Sequence, residues 1–114
     1  MTLWFVRGLR RGIVTTRYPG KPDASAGDLP TPPAFAERAI DRSLADRLVA
    51  VCPSHALSHD SKDLIFDVGA CTACGRCAED AGWAAQPSGE FELAVTCRAD
   101  LIKRISLRQE EGAR

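Results

Sequence analysis

Apolar residues recur at helical spacing near the start of the chain. Phe5, Val6, Leu9 and Ile13 share one face, and Arg7, Arg10 and Arg11 lie mostly off it. This predicts an amphipathic helix within residues 1–18, with Trp4 and Tyr18 near its ends and Gly8 and Gly12 on one flank. Residues 19–33, PGKPDASAGDLPTPP, hold five of the seven prolines and show no period, which predicts an extended linker. Helical spacing returns over 34–51, where Ile40, Leu44, Leu48 and Val51 repeat every three to four residues until Pro53 blocks continuation. The period then shortens to two. DLIFDVGAC predicts a strand over 64–67 that runs into a cysteine loop. GRCAEDAGWAA predicts a short helix, and GEFELAVT, with Phe91, Leu93 and Val95 alternating, a second strand over 89–96. RADLIKRISLRQEEGAR reads as a C-terminal amphipathic helix and charged tail over 98–114. The expected class is α+β, with its folded domain over 34–97.

Composition narrows this picture. A chain of 114 residues makes one small domain that buries little apolar surface, so a metal site or a partner would help hold it. The net charge is zero, and nothing in it points to nucleic acid. Residues 1–18 contain four arginines and no acid, which suits a helix lying on a membrane surface or against a partner, though an ordinary helix packed on its own domain has the same pattern. No apolar run reaches the roughly 18–20 residues of a spanning helix. Arg10 and Arg11 have no apolar stretch after them, so they are not read as an export signal. Five cysteines without a secretory signal point to metal or redox use rather than to a disulfide framework.

The cysteines carry the chemistry. CTACGRCAEDAG, residues 71–82, opens as the iron–sulfur run C-x2-C-x2-C, but Ala81 and Gly82 stand where that run continues to C-P. A C-P pair does occur upstream, at Cys52 and Pro53. In two-cluster bacterial ferredoxins the fourth cysteine of each run ligates the other run's cluster, so Cys52 is expected to join Cys71, Cys74 and Cys77. The same spacing counted back from Cys52 gives positions 42, 45 and 48, which hold Arg42, Ala45 and Leu48. These three and Ala81 are the four ligand positions of the other cluster, and none is a cysteine. Random loss of four ligands from eight would divide this cleanly roughly one time in 35. One whole cluster is therefore expected to be gone, with Ala45 and Leu48 filling its place and Arg42 facing solvent or a partner. Gly75 is expected to turn the loop so that amides reach sulfur, with Arg76 adding positive charge. Two alternatives stay open at this point: structural zinc on four thiolates, and no metal. Cys97 belongs to no run and is expected to be a small buried residue. His55 and His59 are expected at the surface.

Together GLRRGIVTTRYP, CPSHAL, FDVGACTACGRCAE and SGEFELAV resemble the ferredoxin-like electron-transfer subunit of formate hydrogenlyase and related membrane-bound hydrogenases. That subunit is similar in turn to the eight-iron ferredoxin-like subunit of Complex I. The resemblance runs from about residue 3 to residue 101. The G-x2-T-x2-Y-P pattern starting at Gly12, the C-P pair and C-x2-C-G-R-C are specific only in combination. The resemblance implies a bacterial-type ferredoxin fold with internal twofold symmetry, here with one half degenerate, and an N-terminal helix beside the membrane. It implies one [4Fe–4S] cluster on Cys52, Cys71, Cys74 and Cys77, facing the small subunit of a hydrogenase-like or Complex I-like complex. The expected partners are that small subunit, the large subunit and the membrane subunits. The expected location is peripheral, on the cytoplasmic face of the inner membrane. With the outer cluster missing, the usual electron donor is in doubt.

No triad, phosphate loop or acid–base pair is present, so no catalysis is expected of the chain alone. The leading expectation is one-electron transfer within an oxidoreductase complex. One alternative is a bridging subunit whose cluster is a staple without electron flux. Another is a free one-cluster ferredoxin, against which the neutral charge and basic N-terminus count.

Overall fold

The computed structural model describes residues 3–12, 19–21 and 29–109. The architecture is α+β: helices beside two small antiparallel sheets. In chain order the elements are α1 (Leu3–Arg11), β1 (Pro33–Phe35), α2 (Arg42–Val51), β2 (Leu57–His59), β3 (Asp63–Asp67), α3 (Arg76–Asp80), β4 (Ala85–Pro87), a 3-10 helix (Arg98–Leu101) and β5 (Ile102–Ser106). Strand–helix–strand therefore occurs twice, as β1–α2–β2 and β3–α3–β4. Each half's strands pair with those of the other half, β1 with β4 and β2 with β3, and β5 adds to the free edge of β3.

Local chemistry explains the boundaries. Helix α2 starts where Asp41 Oδ1 accepts the Leu44 N–H at 2.8 Å, which satisfies one of the open first-turn donors. Its inner face buries Ala45 and Leu48 completely, and it ends at Cys52, because Pro53 cannot continue it. Asp60 shapes the β2–β3 turn, since its carboxylate accepts the N–H groups of Lys62 and Asp63, both at 2.8 Å. In β3, Leu64 and Phe66 point into the core, while Asp63, Ile65 and Asp67 alternate with them and stay half-buried. Phe35 of β1 meets Phe66 edge-to-face, with ring centroids 5.2 Å apart, and this contact ties the two sheets together.

The strand over 64–67 and the helix after the cysteine loop form as expected. Several other expectations are corrected. The helix expected over 34–51 occupies only Arg42–Val51. Residues 33–35 are instead a strand, held by Pro87, Gln86 and Ala85. The last part of the expected linker is packed: Thr31 is buried, its Oγ1 accepts the Gly89 N–H at 3.0 Å, and Pro32 C=O accepts the Ser88 N–H at 3.1 Å. Residues 89–96 form no strand among the described residues. Phe91 and Val95 stay exposed while Leu93 rests against the core. The C-terminal helix is also overturned. After one 3-10 turn the chain runs as β5, burying Ile105 and then Leu107 at period two. Residues 110–114 of the expected tail, Ile13 and Tyr18 of the expected N-terminal helix and 22–28 of the linker lie outside the described residues. Helix α1 buries none of its residues: Leu3, Trp4, Phe5, Val6 and Leu9 are all exposed.

Candidate metal centre

The four cysteines expected to act together line one recess, at the junction between the end of α2 and the loop that leads into α3. The recess is partly open and has a cavity volume of about 40 Å³. Thr31, Pro33, Pro87 and Phe66 supply much of the remaining wall. Cys52 comes from the C-terminal cap of α2, and Cys71, Cys74 and Cys77 from the loop and first turn of α3. Cys52, Cys71 and Cys77 are half-buried, and Cys74 is exposed at the mouth. Among the described residues, no three His, Cys, Asp or Glu side chains converge to hold a single metal ion.

Backbone amides surround the sulfurs. Burial works to raise the Cys52 thiol. The Ser54 hydroxyl, 3.6 Å from Sγ, and the N–H groups of Ala56, Ser54 and Leu57 outweigh it and hold the pKa below the ordinary thiol value. His55, at φ 55°, folds the chain back so that these amides reach one atom. Burial raises Cys71, partly offset by the Ala73 N–H at 3.4 Å, and the nearby charges of Cys52 and Cys74 raise it further. Burial likewise raises Cys77, with the Ala78 N–H acting against it and Cys71 and Cys74 acting with it. Cys52, Cys74 and Cys77 thus lie within electrostatic reach of Cys71. The loop gets its shape from two left-handed residues, Ala73 at φ 53° and Gly75 at φ 80°. Only Gly75 has the residue type for that conformation, so Ala73 stores roughly 1–2 kcal/mol of strain.

Around Ala45, Leu48 and Ala81, which the spacing expectation set against ligand positions, the structure is packed with hydrocarbon. Ala45 and Leu48 have no exposed surface, Ala81 is 2% exposed, and all three belong to the one core cluster with Ile40, Leu64, Ala84 and Ala85. Arg42 is exposed, as expected. Arg47 and Asp80 pair at 2.9 Å, linking α2 to α3.

Cys97, expected to be buried, is exposed at the start of the 3-10 helix, because no strand carries it inward. His55 is exposed. His59 is half-buried and lies 2.6 Å from Asp46 Oδ1. Sequence reasoning missed the amide ring about Cys52, since the signal would have been a left-handed residue, and histidine does not announce one. It also missed Thr31 and Pro33, which reach the recess from the far side of the domain.

No protein-family model matches this chain, and no curated protein matches it.

Proposed function

We propose that the chain is an electron-transfer subunit that holds one four-iron, four-sulfur cubane on Cys52, Cys71, Cys74 and Cys77. The observation that carries this reading is the gathering of these four thiols, one from the end of α2 and three from the downstream loop, around a single recess with N–H donors aimed at the sulfurs. The donor set suits the group: three cysteines spaced C-x2-C-x2-C on one loop and a fourth from a C-P pair are the thiolate supply of a ferredoxin-type cubane, whereas structural zinc usually takes two C-x2-C hairpins. When bound, the cluster supplies a site that gains and loses one electron. The protein's share is to hold the thiolates, to donate N–H and O–H groups to them, and to exclude water behind Cys52 and Cys77. Amide donors stabilise the more negative, reduced state and so raise the potential.

The fold is read as the bacterial ferredoxin type with one half degenerate. Support comes from the repeated strand–helix–strand order and the exchanged pairing of β1 with β4 and β2 with β3. The mouth beside Cys74, Gly75 and Arg76 is where a redox partner would approach, and a purely structural staple would have no use for that opening. The partner is the small subunit of a hydrogenase-like or Complex I-like complex. Among the described residues no helix is long and apolar enough to cross a membrane. The exposed apolar face and three arginines of α1 instead suit a helix lying on the cytoplasmic surface of the membrane arm.

The test is anaerobic purification with associated subunits, followed by iron, sulfide and zinc counts and EPR of the reduced sample. About four irons with matching sulfide are expected. Zinc without sulfide overturns the reading, and eight irons in this polypeptide overturn the assignment of a single site. A cluster that stays oxidised while the complex turns over would make it a staple.

A further inference from the structure

Cys71 is delivered to the recess by the turn Asp67–Val68–Gly69–Ala70. The turn's own hydrogen bonds, Ala70 N–H to Asp67 C=O and Cys71 N–H to Val68 C=O, are both 3.2 Å and give modest hold. The stronger contacts come from the 3-10 helix just before β5. Leu101 C=O accepts the Val68 N–H at 2.9 Å. Arg98 Nη2 donates to Asp67 Oδ2 at 2.6 Å, while the other oxygen of that carboxylate accepts the Gly69 N–H at 2.9 Å. The guanidinium crosses so close over Gly69 that any β-carbon there would collide with Nη1 and crowd Leu101 Cδ1. Gly69 is not in a left-handed conformation, so a side chain there would suit the backbone but displace the end of Arg98.

We propose that Arg98 is a positioning residue for Cys71: bridged to Asp67 and lying across Gly69, it clamps the turn that presents this thiolate to the recess. Its consequence for the cluster rests on the function proposed above. Arg98 is 64% exposed, so screening leaves the ion pair little to add to global stability. Its contribution is local. It joins a carboxylate that already organises the turn to a helix that already holds Val68, and this fixes the direction in which the chain leaves β3.

The experiment compares Arg98→Ala, Arg98→Lys and Gly69→Ala in the full chain. Amide hydrogen exchange across 67–71 is read against exchange across α2 and β3. For Arg98→Ala, exchange over 68–71 is expected to rise about two- to fivefold, with α2 unchanged. Gly69→Ala, which expels the guanidinium but suits the backbone, is expected to do the same. Arg98→Lys, which keeps the charge beside Asp67, is expected to restore most of the protection. In protein that loads four irons, Arg98→Ala alters the EPR signature of the reduced sample and Arg98→Lys retains it. Wild-type exchange over 68–71 in Arg98→Ala, or a rise spread evenly over the whole domain, overturns the clamp. An unchanged EPR signature overturns its link to Cys71. A wild-type chain without iron and sulfide would refute the cluster reading instead, and the exchange comparison would still decide the clamp.

Discussion

Replacing Leu48 by Ala removes everything beyond Cβ from a side chain with no solvent exposure. Leu-to-Ala changes in cores cost about 2–5 kcal/mol, and the value depends on how far the surroundings collapse into the cavity. Here collapse is poor. The cluster around Leu48 includes Ala45, Ala81, Ala84 and Ala85, all too short to reach into a new void, and α2 is held in place by the Asp41 cap and by Pro53 after its end. The expected loss is therefore toward the upper end, about 4 kcal/mol. A folded part of this size has roughly 4–12 kcal/mol in all, so the variant gives up a third or more of its stability. The assay is urea unfolding of the loaded chain followed by far-ultraviolet circular dichroism under anaerobic conditions. Leu9→Ala on the exposed face of α1 is the control, expected within about 0.5 kcal/mol of wild type. A loss below about 1 kcal/mol for Leu48→Ala would mean that hydrocarbon does not fill the second site, and the account of how the chain does without those ligands would fail.

Further outcomes follow from the same geometry. Cys52→Ser is expected to lower iron and sulfide well below the wild-type ratio, while Cys97→Ser, at an exposed position outside the recess, leaves both unchanged; iron and sulfide counting checks the pair. Ser54→Ala removes the hydroxyl beside Cys52 Sγ, a bond worth about 1 kcal/mol, and is expected to lower the midpoint potential by on the order of 40 mV in an EPR-monitored titration. Ala73→Gly relieves a left-handed alanine and is expected to stabilise the chain or leave it unchanged in the same urea assay, despite the added freedom of the unfolded chain. The N–H groups of Lys62 and Asp63, then Arg104, hold the Asp60 carboxyl below its usual range, so its contribution is present above the unfolded-state pKa and lost as pH falls through the folded one; Asp60→Asn should flatten the fall in stability on acidification, measured as urea midpoints at about pH 7 and about pH 3.

What the sequence reveals here depends on how local the cause is. Strand β3 could be read because Leu64 and Phe66 alternate with polar or half-exposed neighbours, and Pro53 marks the end of α2 by its own covalent structure. Strand β1 could not be read. Its three residues carry no period, and they become a strand only because Ala85–Pro87, far along the chain, lies alongside. The C-terminal strand reads as helix for a related reason. Leu101 and Ile105 are four apart and fit a helix, while Leu101, Lys103, Ile105 and Leu107 fit period two, with Lys103 blurring the pattern. The open edge of β3 settles the choice, since it pairs with Ile102–Ser106 across its full length, and no property of residues 98–114 alone encodes that edge.

The site divides in the same way. Spacing and the C-P pair single out Cys52, Cys71, Cys74 and Cys77, and the structure brings these four to one recess. The groups that tune the sulfurs are main-chain N–H donors, and their aim depends on left-handed φ at His55 and Ala73, which the residue types alone do not fix. The donor set could therefore be read from side chains, but its electrostatic environment could not. Under the proposed function this separation has a consequence for the relay. The packed hydrocarbon around Leu48 and Ala81 leaves the chain one redox site, so the potential of that site has to match donor and acceptor alike. The amides and hydroxyl around Cys52 are the means of adjusting it, because they act on the ligand that enters from the opposite half of the domain and leave the loop of the other three undisturbed.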